Sequence, residues 1–150
     1  MIDEVLVAIR GLGLPLFIGA TWIFICLLLA RLGGWSRLAE AYGALGVDVR
    51  GTRYRFRSGA FGFVSYNGPL MLEAGPQGLS FGILFPFRIG HPRFSVPWAD
   101  LQFAPRKRWL VSTVELTFAR CPGVTVTLPR GLAEKLATEG GLSIPDLFAA

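Results

Sequence analysis

Imidazole chemistry has one candidate in this chain, His91, set between Gly90 and Pro92. A Ser–His–Asp hydrolase would need Ser80 or Ser95 as nucleophile and Asp100 as acid, and neither serine lies in a nucleophile-elbow sequence. In its Gly-His-Pro setting His91 reads as a turn contact, not a general base. Glu73, Asp100 and Glu115 fall on separate expected strands with no paired-carboxylate spacing. A single histidine excludes a multi-histidine metal centre. Cys26 and Cys121, far apart in the chain, exclude a cysteine zinc site and a disulfide framework. Lys107 and Lys135 follow no glycine-rich turn, so a phosphate loop is excluded too. The expectation is a protein that is not an enzyme and holds no cofactor or metal.

What remains is charge. Arg53, Arg55 and Arg57 alternate with Tyr54 and Phe56. Period two places the three guanidinium groups on one strand face and the two aromatics toward a core. Like charges in a row are unfavourable without an acidic neighbour. Glu73 or Glu115 supplies one from within the chain; from outside, an anionic leaflet does, at about 1 kcal/mol per basic side chain. These arginines are therefore the candidate lipid- or partner-binding residues. Nucleic acid is not expected as a partner, because Tyr54 and Phe56 point away from the arginines and form no stacking platform. Trp98, after Pro97, reads as a core anchor. Arg88, Arg93 and the run Arg106, Lys107 and Arg108 read as solvated rim charges.

The elements that position these residues follow from composition. In 150 residues, 52% are hydrophobic and 17% charged, and thirteen of the fifteen basic residues are arginine, giving a net charge of +5. That length allows one domain with an appendage. The apolar excess lies at residues 11–30, GLGLPLFIGATWIFICLLLA, which carry no charge. As a helix this stretch spans roughly 30 Å, the thickness of a bilayer's hydrocarbon core. Its eleven Leu, Ile and Phe residues favour insertion by roughly 3–7 kcal/mol. Pro15 falls in the first turns, where its missing N–H does least harm. A cleaved signal peptide would begin basic and end at a small-residue cleavage site, which the start MIDEVLVAIR and the following Arg31 do not provide. Residues 1–30 are thus expected to form an N-terminal transmembrane helix.

Arg31, Arg37, Arg50, Arg53, Arg55 and Arg57 follow the span, whereas Asp3, Glu4 and Arg10 precede it. Positive charge stays inside, so the expected location is the inner membrane, single-pass, with the carboxy-terminal domain cytoplasmic. Residues 31–48 form an amphipathic linker, with Leu32, Trp35, Leu38, Ala39 and Tyr42 at helical spacing. Such a helix either lies among the headgroups, with Arg31, Trp35 and Arg37 as membrane-interface residues, or docks on the following domain. Gly33 and Gly34 suggest a hinge. Gly11, Gly13, Gly19 and Ala20 permit close approach by other membrane helices.

Residues 49–150 change to period two with frequent turns. Expected strands are 53–57, 61–66, 69–74, 79–85, 93–96 and 98–103, with Asn67 and Gly68 as a turn. A last hairpin turns at Cys121, Pro122 and Gly123; Leu110, Val114, Leu116 and Phe118 share its buried face. After Pro129, Leu132, Ala133 and Leu136 form a helical stripe that Gly140 and Gly141 end. The fold class is therefore mainly β: six or seven antiparallel strands in a partly open barrel, capped by a carboxy-terminal helix.

Strands followed by one terminal helix, together with Gly78-Leu79-Ser80, Phe87-Arg88, Gly90-His91-Pro92 and Val96-Pro97-Trp98 before Leu101, resemble small bacterial single-pass membrane proteins with a pleckstrin-homology/GRAM-like domain. The resemblance covers roughly residues 50–140 and implies a binding module without implying an activity. The loop that is basic in phosphoinositide-binding members corresponds here to SGAFGF, residues 58–63, with no basic residue. Expected partners are membrane lipids and a protein held at the cytoplasmic face. The alternatives are a lipid-contact module using the three arginines and an accessory subunit of a membrane complex.

Overall fold

A computed structural model describes residues 1–43, 45–85, 87–108 and 110–142. The end of the expected domain, 143–150, lies outside the described residues. Helix α1 runs over Ile2–Leu32, so it begins well before the charge-free stretch. Asp3 and Glu4 in its first turn and Arg31 in its last complement the helix dipole. Thr21 Oγ1 donates to the Phe17 carbonyl at 2.8 Å, which lets a hydroxyl sit within an apolar helix. The helix is long and apolar enough to cross a membrane, and only 6% of its most apolar window is buried. Helix α2, Trp35–Gly43, follows directly.

Seven strands form one antiparallel sheet: β1 Thr52–Phe61, β2 Val64–Gly75, β3 Gly78–Ile83, β4 Phe94–Val96, β5 Leu101–Arg108, β6 Val111–Phe118 and β7 Thr125–Pro129. Their order is β4-β3-β2-β1-β7-β6-β5. Two meanders thus join where β1 meets β7, through Ala60 opposite Thr127 and Phe61 opposite Val126. The sheet curls into a half-barrel around one core, with Leu70, Leu72 and Phe81 from the first meander meeting Leu116, Phe118 and Val126 from the second. Helix α3, Arg130–Glu139, caps this core with Leu132, Ala133 and Leu136.

The first hairpin differs from the expectation. It turns at Gly62 (φ +59°) and Phe63, not at Asn67 and Gly68, which lie inside β2. Asn67 opposes Ser58 and Leu70 opposes Arg57, so Gly68 and Pro69 form an irregularity that the strand absorbs. A Pro cannot complete a ladder, and the bulge accommodates it. Strand β5 starts after a 3₁₀ turn at Trp98–Asp100 and runs to Arg108, later and longer than expected. Leu110 is exposed beyond the start of β6, while Val114, Leu116 and Phe118 are buried as expected.

Helix α2 docks on the domain, and Trp35 is not a membrane-interface residue. Its side chain is fully buried, with ring centroids 4.7 Å from Phe61 and 5.2 Å from Phe94. Its indole N–H donates to the Pro92 carbonyl at 2.9 Å, so the polar handle is satisfied inside the core. One turn or more further on, Tyr42 packs on Phe118, and its hydroxyl accepts the Arg120 N–H at 3.0 Å. The helix therefore bridges the open side of the half-barrel between β4 and β6. Arg31 and Arg37 remain exposed. Gly33 and Gly34 form a packed elbow, not a hinge: at Gly34 (φ +87°) a Cβ would come within 2.6 Å of Val124.

Candidate functional site

The two-residue turn at Pro76 and Gln77 fixes the register of β2 and β3, placing Glu73 opposite Ser80. Arg53 on β1 opposes Glu73, and Ser95 on β4 opposes Ser80. A polar row, Arg53–Glu73–Ser80–Ser95, therefore crosses four strands on the face opposite Leu72, Phe81 and Phe94. Glu73 is buried beneath the arginines that cover it. It accepts from the Arg93 guanidinium and, at 3.3 Å, from the Gly51 N–H, and it pairs with Arg53 Nε at 3.5 Å. Arg93 Nε also donates to Ser80 Oγ at 2.7 Å. Burial alone would raise the Glu73 pKa. The hydrogen bonds from Arg93 and Gly51 and the charges of Arg93 and Arg53 outweigh it, and the carboxyl is held below its ordinary value.

Beside this row lies a depression of about 560 Å³, lined by Asp48, Arg50, Arg53, Glu73, Arg93 and Ser95 among others. Three arginines face two carboxylates there, and Arg50 pairs with Asp48 at 3.1 Å on the outer rim. A narrower cleft with Arg53, Arg55, Met71 and Gly82 adjoins it. The depression borders β4, the end strand of the sheet, whose outer backbone edge lies outside the ladder.

The three arginines singled out by period two do not share a face. The ladder advances three residues on β1 from Tyr54 to Arg57, but only two on β2 from Leu72 to Leu70. Phe56 takes up the extra residue with φ +55° and is 75% exposed, so it does not face the core as expected. Beyond the bulge Arg57 folds back over the Tyr54 ring, 5.6 Å from its centroid. Arg53 joins Glu73, and Arg55 remains exposed.

The catalytic candidates are not assembled. His91 is buried, its Nδ1 2.9 Å from the Ile89 carbonyl and its Nε2 2.7 Å from the Tyr66 hydroxyl. A carbonyl only accepts, so Nδ1 carries the proton and the Tyr66 O–H donates to Nε2. Burial lowers the His91 pKa, opposed only in part by the Ile89 and Phe87 carbonyls, and burial pushes Tyr66 up to about 12. Ser80 serves Arg93, and Asp100 pairs with Arg120 at 3.4 Å, so neither shares a hydrogen bond with His91. Glu115 pairs with Arg106 at 3.6 Å. Trp98 donates to the Gly75 carbonyl at 2.7 Å and stacks on Phe103, as a core anchor does. Among the described residues no three His, Cys, Asp or Glu side chains form a metal-binding group.

Sequence reasoning named Glu73 as a partner for the arginines but missed Arg93. The short turn before β3 makes the first contact legible. The ten residues between β3 and β4 hide the second. No family model, curated protein or solved structure matches the chain.

Proposed function

We propose that this is a single-pass, membrane-anchored binding module without catalytic activity, carrying a pleckstrin-homology/GRAM-like domain on the cytoplasmic side of the inner membrane. It holds a protein partner by an acidic, extended segment laid along β4. The observation that carries this reading is the depression lined by Arg50, Arg53 and Arg93 beside that end strand. Extended peptides add to a sheet edge through main-chain hydrogen bonds, while side-chain pockets select them. The three arginines outnumber Asp48 and Glu73, and the surplus positive charge supplies selection for carboxylates and speeds encounter. The excess of arginine after α1 supports the cytoplasmic side.

Position favours a protein over the bilayer as the partner of these arginines. The Phe61 end of β1 meets Gly33 at the α1–α2 elbow, whereas Arg53 lies eight residues back along the strand, roughly 25 Å away. A photo-crosslinking side chain at Ser95 of the full-length protein in its membrane tests the reading. A discrete protein adduct that is lost when Arg50 and Arg53 are both changed to Gln is expected. Adducts to lipid alone, or a protein adduct indifferent to those two changes, would refute it.

A further inference from the structure

We propose that residues 84, 85 and 87–89, in the loop after β3, form a second membrane anchor lying against α1 within the same leaflet. The proposal rests on the reading of α1 as a membrane span. The last three turns of α1 are covered on one side only. Cys26 and Ala30 are buried against the domain. The Phe87 ring lies 4.9 Å from the Trp22 ring, and the Gly90 backbone is so close to Leu27 that a Cβ there would come within 2.7 Å of the leucine. On the other side Phe24 and Leu28 remain 64% and 41% exposed. If lipid covers those side chains, the bilayer reaches the level of Leu28, and the loop that touches Trp22 and Leu27 shares that depth. Trp22 stands nine residues before Arg31, about 13 Å along the helix axis.

The loop is built for such a place. It contributes Leu84, Phe85, Phe87 and Ile89, and Phe85 is 79% exposed with nothing in the domain over it. Backbone groups at that depth must be satisfied internally. Two turns satisfy part of them, with the Phe87 N–H on the Leu84 carbonyl at 3.0 Å and the His91 N–H on the Arg88 carbonyl at 2.9 Å. The Leu84 N–H reaches Pro69 at 2.9 Å. The one charge, Arg88, donates its Nε hydrogen to the Ile83 carbonyl at 3.3 Å, which satisfies part of the guanidinium within the loop.

Spin labelling of the full-length protein in phosphatidylcholine and phosphatidylglycerol vesicles tests this. Nitroxides are placed singly by Phe17→Cys, Phe85→Cys and Leu110→Cys, with Cys26 and Cys121 replaced by Ala. Collision with oxygen, which concentrates in lipid, is compared with collision with a water-soluble nickel chelate. The expected result is loss of nickel collision and gain of oxygen collision at positions 17 and 85, and the reverse at 110. Position 17 in lipid with position 85 as open to nickel as position 110 would overturn the loop anchor and leave the span standing. Low collision with both reagents at 85 would overturn it in favour of cover by protein, for instance a second copy. Nickel access at 17 would remove the span itself, and the loop anchor with it.

Discussion

Replacing Glu73 by Gln keeps the shape of the side chain and removes the charge on which Arg53 and Arg93 converge. Hydrogen bonds to a charged group contribute about 1.5–3 kcal/mol each. The two arginine side chains are 61% and 50% exposed, so water screens their part. A glutamine oxygen still accepts the Gly51 N–H, but its amide N–H₂ cannot accept from a guanidinium. The net loss should be about 1–2 kcal/mol, below the roughly 3–5 kcal/mol that breaking a fully buried ion pair costs. In a chain of this size that lowers the melting temperature by roughly 3–8 °C.

The pH dependence is the sharper test. The Glu73 pKa is lower in the folded state than in the unfolded chain, where it lies near 4.5. Its stabilisation is therefore fully present above that value and is lost as pH falls through the folded pKa. The stability difference between the native chain and Glu73→Gln should be constant at neutral pH and shrink below about pH 4.5. Contributions shared by both chains, such as that of His91, cancel in this difference. Thermal unfolding of full-length protein in detergent, scanned over pH, reads it. Equal stability at neutral pH, or a difference that does not close in acid, would refute the account of Glu73 as an ionised clamp.

Two further outcomes follow from the core. Trp35→Ala should cost about 3–5 kcal/mol, the range for deleting a large buried aromatic, and should undock α2, whereas an interfacial tryptophan would leave unfolding of the domain nearly unchanged; the same thermal assay decides. For His91 the folded pKa lies below the ordinary 6.5. As pH falls through 6.5 the unfolded chain takes up a proton that the folded one refuses, so stability should decline from there down to the folded pKa, and His91→Gln should flatten that limb in a pH-scanned melt.

Most of the sheet was legible because alternation and turn chemistry are local. Val114, Leu116 and Phe118, and Leu132, Ala133 and Leu136, occupy the faces that their spacing assigns. The failures occur where a bulge or a long-range contact overrides the period. Nothing local announces that β1 inserts a residue at Phe56, which moves Arg57 out of line with Arg53. Likewise Asn67 and Gly68 carry strong turn chemistry, yet Asn67 pairs with Ser58 of β1 and the Gly68 N–H donates to the Ser58 hydroxyl at 3.1 Å, which keeps both in strand β2. The stripe of α2 was visible, but a headgroup layer and a protein core accept the same stripe. What decides is the acceptor for the indole of Trp35, and that is a carbonyl fifty-seven residues away.

That same contact determines how the domain is carried. Trp35, Leu38 and Tyr42 belong to the one core that holds the sheet, and Ala30 of α1 joins them. A tether that swings would need a solvated linker, but the chain passes from α1 to core within two glycines, both closed against Phe61, Val64 or Val124. Motion at this elbow would have to open the core itself, so the domain should move with α1 as a unit. The depression beside β4 is then presented at a fixed height and angle. On the proposed function, a partner seated there would be held in a set orientation to the bilayer, where a flexible tether would only raise its local concentration.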